Sequence, residues 1–230
     1  MDKTGSRLLV VLLALASLGT TVLIGLTVLR GSDHPPTPAS GSALPQTYDP
    51  VFSQGLAMLP FTLTERSGRP FASSDLQGKI WIANFIFTRC PGICPPMTRH
   101  MAKLQQELST HTRWDDIRLV SFSVDPEYDT PQRLRAFAAR YKADAEHWLF
   151  LTGQRDVIWR LCRDGFKQTV EPNEADALNQ ILHTSMFILV DRHNRIRGFF
   201  DSLKEEERSE LKQTLERVLL EDAAPDHNDE

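Results

Sequence analysis

The sequence is poor in cysteine and has no excess of basic charge, and each shortage excludes a class of protein. Only three cysteines occur in 230 residues, namely Cys90, Cys94 and Cys162. Three are too few for the disulfide framework of a small secreted domain. Lys and Arg total 26 against 30 Asp and Glu, so the chain lacks the basic face that nucleic-acid binding requires. The fold must therefore come from a hydrophobic core, and the cysteines are available for chemistry.

Charge is also missing from one long stretch near the N-terminus, residues 8–29 (LLVVLLALASLGTTVLIGLTVL). A run of about 22 apolar residues can cross a hydrocarbon core of roughly 30 Å. It exceeds the apolar region of a cleaved signal peptide and ends without an A-x-A site. We therefore interpret residues 1–30 as a membrane anchor with one N-terminal transmembrane helix. Lys3 and Arg7 precede the run and Arg30 follows it, which favours an inside N-terminus with the body of the protein across the membrane.

Composition divides the rest of the chain into three parts. Residues 31–50 are rich in Pro, Ser and Gly and predict a flexible linker. Residues 51–221 are long enough for one sizeable core and predict the folded domain. Residues 222–230 form an acidic tail that a proline interrupts.

Within the folded domain, strand patterns alternate with helix patterns. Residues 80–88 (IWIANFIFT) are almost continuously apolar, which is typical of a central strand covered on both faces. Met97, Met101, Leu104 and Leu108 form one apolar stripe at helical spacing. A hairpin is predicted over 59–71, with its turn at Ser67-Gly68, and a second over 183–201, with its turn at His193-Asn194. Further strands are predicted at 117–125 and 147–153. Further helices are predicted at 129–143, where Asp129 or Thr130 precedes Pro131 as a cap, and at 155–166 and 205–222. The order predicts an α/β fold, with a mixed sheet and helices on both faces.

The most specific feature is a pair of cysteines in the segment CPGIC, which follows the apolar strand. Pro95 and Pro96 come next, and prolines fit the first turn of a helix. Cys94 should therefore lie at or near a helix N-terminus, where the partial positive charge favours a thiolate. A strand, a cysteine loop and a helix in this order resemble the thioredoxin superfamily. Thioredoxins have two residues between the cysteines, whereas this chain has three, and the longer spacing permits either a disulfide or a shared metal ion.

Two thiolates select soft metals, namely Cu(I), Zn(II) or an iron–sulfur cluster. The number of cysteines then decides among these candidates. Iron–sulfur clusters and closed zinc sites use four ligands, whereas copper accepts two sulfurs and one imidazole. Among seven histidines, His183 comes just before an apolar strand, in a region where thioredoxin-like folds approach the cysteine pair. It can equally be a structural histidine. His100 follows the cysteines on the predicted helix, but beside the apolar stripe, and we expect it to point away from the loop.

Three motifs together resemble the Sco/SenC family of copper proteins: FTRCPGICPPM (87–97), SFSVDPEYDTP (121–131) and HTSMFILVD (183–191). The likeness runs from about Gln54 to Leu220. It implies a membrane-anchored, thioredoxin-like protein that assembles the CuA centre of cytochrome c oxidase. It also implies copper ligation, as Cu(I) or Cu(II), by Cys90, Cys94 and His183. The family often has Asp immediately before this histidine, where this chain has Leu182, so the group that orients the imidazole is left open.

Of the other polar and sulfur-containing residues near these motifs, Asp125 alone has two equally weighted readings. Asp125 ends a strand at the expected site edge and either supports the ligands or is a turn residue before Pro126. Asp129 is interpreted as a helix cap. Met97 and Met101 are interpreted as core residues because of their stripe position. Cys162 lies on a helix without a chelating neighbour and is interpreted as a buried residue outside the site.

Three functions compete. The preferred one is a copper metallochaperone for the CuA centre. The alternative is an enzyme, a membrane-anchored thiol–disulfide oxidoreductase with a redox-active disulfide between Cys90 and Cys94, which reduces the cysteines of an apo copper site. A thiol peroxidase is the third, because Thr88 precedes Cys90 by two residues.

The expected partners are the cytochrome c oxidase subunit that carries CuA, together with other copper chaperones or thiol reductants. The expected location is a bacterial inner membrane, single-pass, with the domain in the periplasm. The alternative is a mitochondrial inner membrane, although the N-terminus lacks an Arg- and Ser-rich presequence.

Overall fold

The central strand of the computed structural model is Ile80–Ile86, in which every residue is buried. The structure describes residues 56–174 and 181–221. Burial of all seven residues requires cover on both faces of the sheet, as the continuous apolar run predicts. The predicted anchor, linker and acidic tail lie outside the described residues. No helix within the described ranges is long and apolar enough to cross a bilayer.

Within residues 56–174 and 181–221, ten strands build two sheets. In chain order they are β1 (Leu56–Ala57), β2 (Thr62–Glu65), β3 (Pro70–Ala72), β4 (Ile80–Ile86), β5 (Ile117–Ser123), β6 (Trp148–Thr152), β7 (Val170–Pro172), β8 (Ile181–His183), β9 (Met186–Val190) and β10 (Arg195–Asp201). Eight of them form one sheet in the order β1-β10-β9-β4-β5-β6-β2-β3, and β7 pairs with β8 in a separate ladder. Strand β4 is parallel to β5 and antiparallel to β9, and β5 is parallel to β6. The predicted mixed sheet is therefore present.

In the part of the chain that the structure describes, three helices connect strands, namely α1 (Cys94–Leu108), α2 (Pro131–Arg140) and α3 (Arg155–Arg160), and a fourth, α4 (Glu205–Glu221), follows the last strand. A π-helical turn, Leu161–Gly165, continues α3. The predicted stripe of α1 is buried, with Met97 and Met101 fully inaccessible to solvent. Helix α2 begins as expected at Pro131, and its cap is Thr130, whose side chain accepts a hydrogen bond from the Arg133 amide.

Two hairpin turns use a left-handed backbone conformation, and the sequence has a suitable residue at each. Gly68 has φ 87° in the β2–β3 hairpin, and Asn194 has φ 57° between β9 and β10. Glycine and asparagine tolerate this left-handed region better than other residues. These hairpins confirm the predicted turns at Ser67-Gly68 and His193-Asn194.

Candidate metal centre

The cysteine loop connects the carboxyl end of β4 with α1. Cys90 lies in this loop, and Cys94 is the first residue of α1, with Ile93 as the cap and prolines in the first turn. Both side chains are buried, with 6% of Cys90 and 1% of Cys94 exposed. The predicted position of Cys94 at the helix N-terminus is confirmed. No disulfide joins the cysteines, all three of which lie within the described residues.

His183 reaches the cysteine pair from the β7–β8 ladder. It is the last residue of β8, which pairs with β7 so that His183 lies opposite Val170. Its Nε2 atom is 3.1 Å from the Cys94 sulfur. One donor atom from each of Cys90, Cys94 and His183 lies within 4.8 Å of the other two. Three residues separated by up to 93 positions of sequence thus converge on one point.

The backbone, rather than a carboxylate, fixes the orientation of the imidazole. His183 Nδ1 is 3.0 Å from the carbonyl oxygen of Thr184. A carbonyl can only accept, so Nδ1 carries a proton, and Nε2 is the ring nitrogen that faces the thiols. The ring of Phe87 packs edge-on against the imidazole, with centroids 5.5 Å apart. Leu182, at the position where the family often has Asp, is 41% exposed and supplies no polar group.

The two thiols differ in acidity, in the opposite sense from the helix-dipole prediction. A hydrogen bond from Cys94 lowers the pKa of Cys90 to about 4, with help from His183, although burial opposes this shift. Burial raises the pKa of Cys94 well above its usual value, and the negative charge of Cys90 adds to that effect. The prediction that the helix N-terminus makes Cys94 the thiolate was therefore wrong. Desolvation outweighs the dipole at this buried position, and the thiolate is Cys90.

Asp125 contacts the cysteine loop through Arg89. The Asp125 carboxylate accepts a 2.7 Å hydrogen bond from Arg89 Nε, and Asp125 is 7% exposed. Arg89 precedes Cys90 and also stacks over the Tyr128 ring, 4.6 Å from its centroid. Asp125 thus holds the residue next to a thiol, and it is absent from the group of three donors.

Asp129 is the residue whose importance the sequence did not reveal. It is fully buried, and it accepts hydrogen bonds from the Thr88 amide at 2.9 Å, from the Thr88 hydroxyl and from the Ser123 hydroxyl at 2.6 Å. Burial raises its pKa. The helix-cap interpretation was wrong because Thr130 caps α2 and Asp129 points inward. Its place beside Thr130-Pro131 concealed this role, and only the nearness of Thr88 to Cys90 could have indicated it.

The remaining residues considered from sequence lie outside the donor group. His100 Nδ1 is 2.6 Å from the Ser202 carbonyl, directed away from the thiols as expected. Met97 and Met101 are core residues. Cys162 is buried, which raises its pKa to about 12. Its sulfur lies 3.8 Å from the Gln168 carbonyl oxygen.

Comparison with known proteins assigns the family. The SCO1 protein homologue of Bacillus subtilis is 41% identical over 138 residues, which cover 60% of this chain and 69% of that protein. The structure of BsSco, described as a member of the Sco family of cytochrome c oxidase assembly proteins with a disulfide switch, is 34% identical, with a TM-score of 0.63 over 71% of this chain and 94% of that chain.

A structure of ScoI from Bradyrhizobium japonicum with copper bound is 24% identical and has a TM-score of 0.56 over 69% of this chain and 99% of that chain. That likeness shows a shared fold. A sequence model of the SCO1/SenC family matches residues 53–220. The match covers well over half of the chain, and the protein therefore belongs to the SCO1/SenC family.

Proposed function

We propose that this protein is a copper metallochaperone for the CuA centre of cytochrome c oxidase, with Cys90, Cys94 and His183 as the copper ligands. The observation that carries the proposal is the convergence of two thiols and one imidazole within 4.8 Å. Soft thiolates with an imidazole suit copper, whereas a closed zinc site or an iron–sulfur cluster calls for a fourth protein ligand. Copper is bound in the Bradyrhizobium ScoI structure, whose likeness is one of fold, so the donor set supplies the argument for this chain.

The three donor side chains differ in how close their protonation state is to the one that copper binding requires. Cys90 is already a thiolate at neutral pH because its pKa is about 4. Cys94 holds its proton and must release it when a metal binds. His183 offers Nε2 because its Nδ1–H is held by the Thr184 carbonyl. Three protein ligands leave copper open to a partner's thiolates, which can replace these ligands stepwise, so that copper passes between proteins without release.

The same proposal includes membrane attachment and partners. Residues 1–30 would anchor the protein to a bacterial inner membrane and place the domain in the periplasm, where the CuA-bearing oxidase subunit is accessible. The protein would receive copper or electrons from other copper chaperones or thiol reductants. A mitochondrial inner membrane would give the domain the equivalent position.

The test is copper binding by the reduced full-length chain in detergent. Cu(II) is added, excess metal is removed, and copper content and the near-ultraviolet and visible spectra are recorded. The proposal predicts about one copper per chain and an intense thiolate-to-copper charge-transfer band. His183→Ala should shift the band and weaken binding by at least about 100-fold, since even removal of a ligand's hydrogen-bond partner costs 10- to 100-fold.

The matched control is His100→Ala, which removes a histidine from α1 that lies outside the donor group. It should bind copper like the parent protein. An unchanged copper affinity in His183→Ala would refute the ligand assignment.

A second candidate, the thiol–disulfide oxidoreductase, is favoured by the hydrogen bond between a Cys90 thiolate and a Cys94 thiol. The Cys90 thiolate would attack one sulfur of an oxidised CuA cysteine pair, forming a mixed disulfide. Cys94, once deprotonated, would attack Cys90, leaving a Cys90–Cys94 disulfide and two reduced thiols on the substrate. A thiol reductant would then restore the pair. Loss of added copper together with rapid Cys90–Cys94 oxidation would favour this function over the first.

A further inference from the structure

Gln168 is a buried polar residue that the proposed copper chemistry does not use. It is 2% exposed and follows the π-helical turn after α3. Its side chain donates a hydrogen bond from Nε2 to the Phe166 carbonyl at 3.0 Å, and its Oε1 accepts one from the Thr184 hydroxyl at 2.6 Å. Both polar atoms of the amide are therefore satisfied, and one of them is satisfied by the neighbour of His183.

Two features of the backbone determine where the Gln168 side chain points. Lys167, directly before it, has φ 56°, which is uncommon for a residue other than glycine. The Gln168 amide donates to the Cys162 carbonyl at 2.9 Å and so ties Gln168 to the π-helical turn. These two features turn the chain so that the Gln168 side chain faces inward, towards the end of β8.

The hydrogen bonds continue from Gln168 to the imidazole. Thr184 donates through its hydroxyl to Gln168 and accepts through its carbonyl from His183 Nδ1. On the other side, β7 follows Gln168 closely, and Val170 is the register partner of His183. Gln168 thus fixes the Thr184 hydroxyl, and the carbonyl of the same residue fixes the imidazole of His183. The pairing of β7 with β8 keeps this segment in place.

From this chain of contacts we infer that Gln168 is a positioning residue, which acts through Thr184 to keep His183 in the tautomer and orientation with Nε2 towards Cys94. The inference deepens the proposed function, on which its copper-binding consequence rests. It also answers what orients the imidazole in a chain with Leu182 before the histidine. Hydrogen-bond partners of metal-binding histidines typically fix the tautomer and ring direction, and their loss weakens metal binding 10- to 100-fold.

The test compares Thr184→Val, Thr184→Ser and Gln168→Ala with the parent protein, using the full-length chain in detergent. The first measurement is the ring ¹⁵N shifts of His183 in the reduced, metal-free protein. The parent and Thr184→Ser should show the Nδ1–H tautomer. Thr184→Val and Gln168→Ala, which break the link, should show a mixture with the Nε2–H tautomer.

The second measurement is copper affinity and the charge-transfer band. Thr184→Val and Gln168→Ala should each weaken copper binding about tenfold and shift the band, while Thr184→Ser should restore both. The matched control is Gln105→Ala, which removes an amide that bridges to Lys142 and Asp144. It can lower stability, but it should leave the His183 tautomer and the copper band unchanged.

The outcomes separate the two proposals. A parent protein with the Nε2–H tautomer would overturn the inference, as would variants that melt earlier but keep the parent tautomer and copper affinity. If Gln168→Ala fails to fold, Thr184→Val decides the question, because Thr184 is only partly buried. If the parent binds no copper, the proposed function fails, and the tautomer measurement still tests the role of Gln168.

Discussion

Two physical effects act in opposite directions on the pKa of Cys94. The N-terminus of α1 favours a thiolate, an effect worth up to about 2 kcal/mol in favourable geometry. Removal of the sulfur from water disfavours the thiolate and can shift a buried group by several pKa units. Cys94 is 1% exposed, and its pKa is raised. Because Cys94 keeps its proton, it can donate that proton to Cys90, so the burial of one thiol creates the acidity of the other.

The acidity of Cys90 predicts a pH profile for its alkylation. An unperturbed thiol titrates near 8.5, whereas the folded protein holds the pKa of Cys90 at about 4. Reaction with iodoacetamide should therefore stay nearly constant from about pH 6 to 8 and fall as the pH drops through about 4. Mass spectrometry of the modified peptides measures the rate at each cysteine. Cys162, buried with a pKa of about 12, is the internal control and should react only after unfolding.

The variant Cys94→Ala tests the cause. It removes the hydrogen bond that lowers the pKa of Cys90, so the alkylation midpoint should move upward towards 8.5. The rate at pH 6 should drop accordingly. A midpoint that stays near 4 in this variant would contradict the assigned role of the Cys94 thiol.

The same pKa shifts predict how the free energy of unfolding changes with pH. Between about 4 and 8.5 the unfolded chain holds the Cys90 proton that the folded chain has released. Cys90 therefore contributes stability that grows as pH rises through this range and is lost as pH falls through about 4. Cys94 acts in the opposite sense above about 8.5, where the unfolded chain releases a proton that the folded chain retains.

One buried carboxylate connects the cysteine loop with the end of β5 and the start of α2. Asp129, next to the first residues of α2, accepts hydrogen bonds from Thr88 in the cysteine loop and from Ser123 at the end of β5. All the groups meet at one buried carboxylate. The Asp129 carboxylate thus anchors the loop after β4, and the ion pair between Arg89 and Asp125 gives the loop a second anchor.

Asp129→Ala should destabilise the protein substantially. It leaves three hydrogen-bond donors without their acceptor, and each buried unsatisfied group costs about 1–3 kcal/mol. We expect the free energy of unfolding to fall by about 3 kcal/mol or more, measured by urea denaturation. The matched control is Asp156→Ala, which removes an exposed carboxylate from the first turn of α3 and should cost less than about 1 kcal/mol. Similar losses in the two variants would contradict the anchoring role of Asp129.

The elements with strong periodicity could be predicted from the sequence, and the local contacts could not. The apolar run of β4, the stripe of α1 and the turn residues Gly68 and Asn194 each follow from a single local pattern. The β7–β8 ladder was not predicted, because its strands of three residues carry too little pattern and their pairing is set by tertiary contact. His183 ends one of these short strands, so its approach to Cys94 was expected from family likeness rather than from periodicity.

The same limit applies to the polar groups around the site. Cys90 and Cys94 are recognisable because spacing and prolines are local features. Gln168 and Asp129 become meaningful only when their partners, Thr184 and Thr88, arrive from distant sequence. The acidity of the two thiols depends on burial, which no spacing reveals. Sequence thus predicts the residues that carry the chemistry, and the structure is needed for those that position them.

The three candidate donors come from parts of the chain that are far apart in sequence, so a copper ion bound by all three would couple metal binding to folding. Cys90 lies in the loop after β4, Cys94 begins α1, and His183 ends β8, a strand outside the eight-stranded sheet. A metal held by all three joins the cysteine loop to the β7–β8 ladder, and these contacts are lost on unfolding. A ligand that binds the folded state alone stabilises it by RT ln(1 + [L]/Kd).

Copper should therefore raise the thermal stability of the reduced protein. At a free copper concentration about 1,000-fold above Kd, the gain should be about 4 kcal/mol, and less if unfolded thiols also bind the metal. Calorimetry of the reduced protein with and without Cu(II) measures the shift in Tm. The double variant Cys90→Ser, Cys94→Ser and the oxidised protein with a Cys90–Cys94 disulfide serve as controls and should gain nothing. An equal gain in these controls would mean that copper stabilises the fold from elsewhere, because neither control retains the two thiolates that the proposed centre requires.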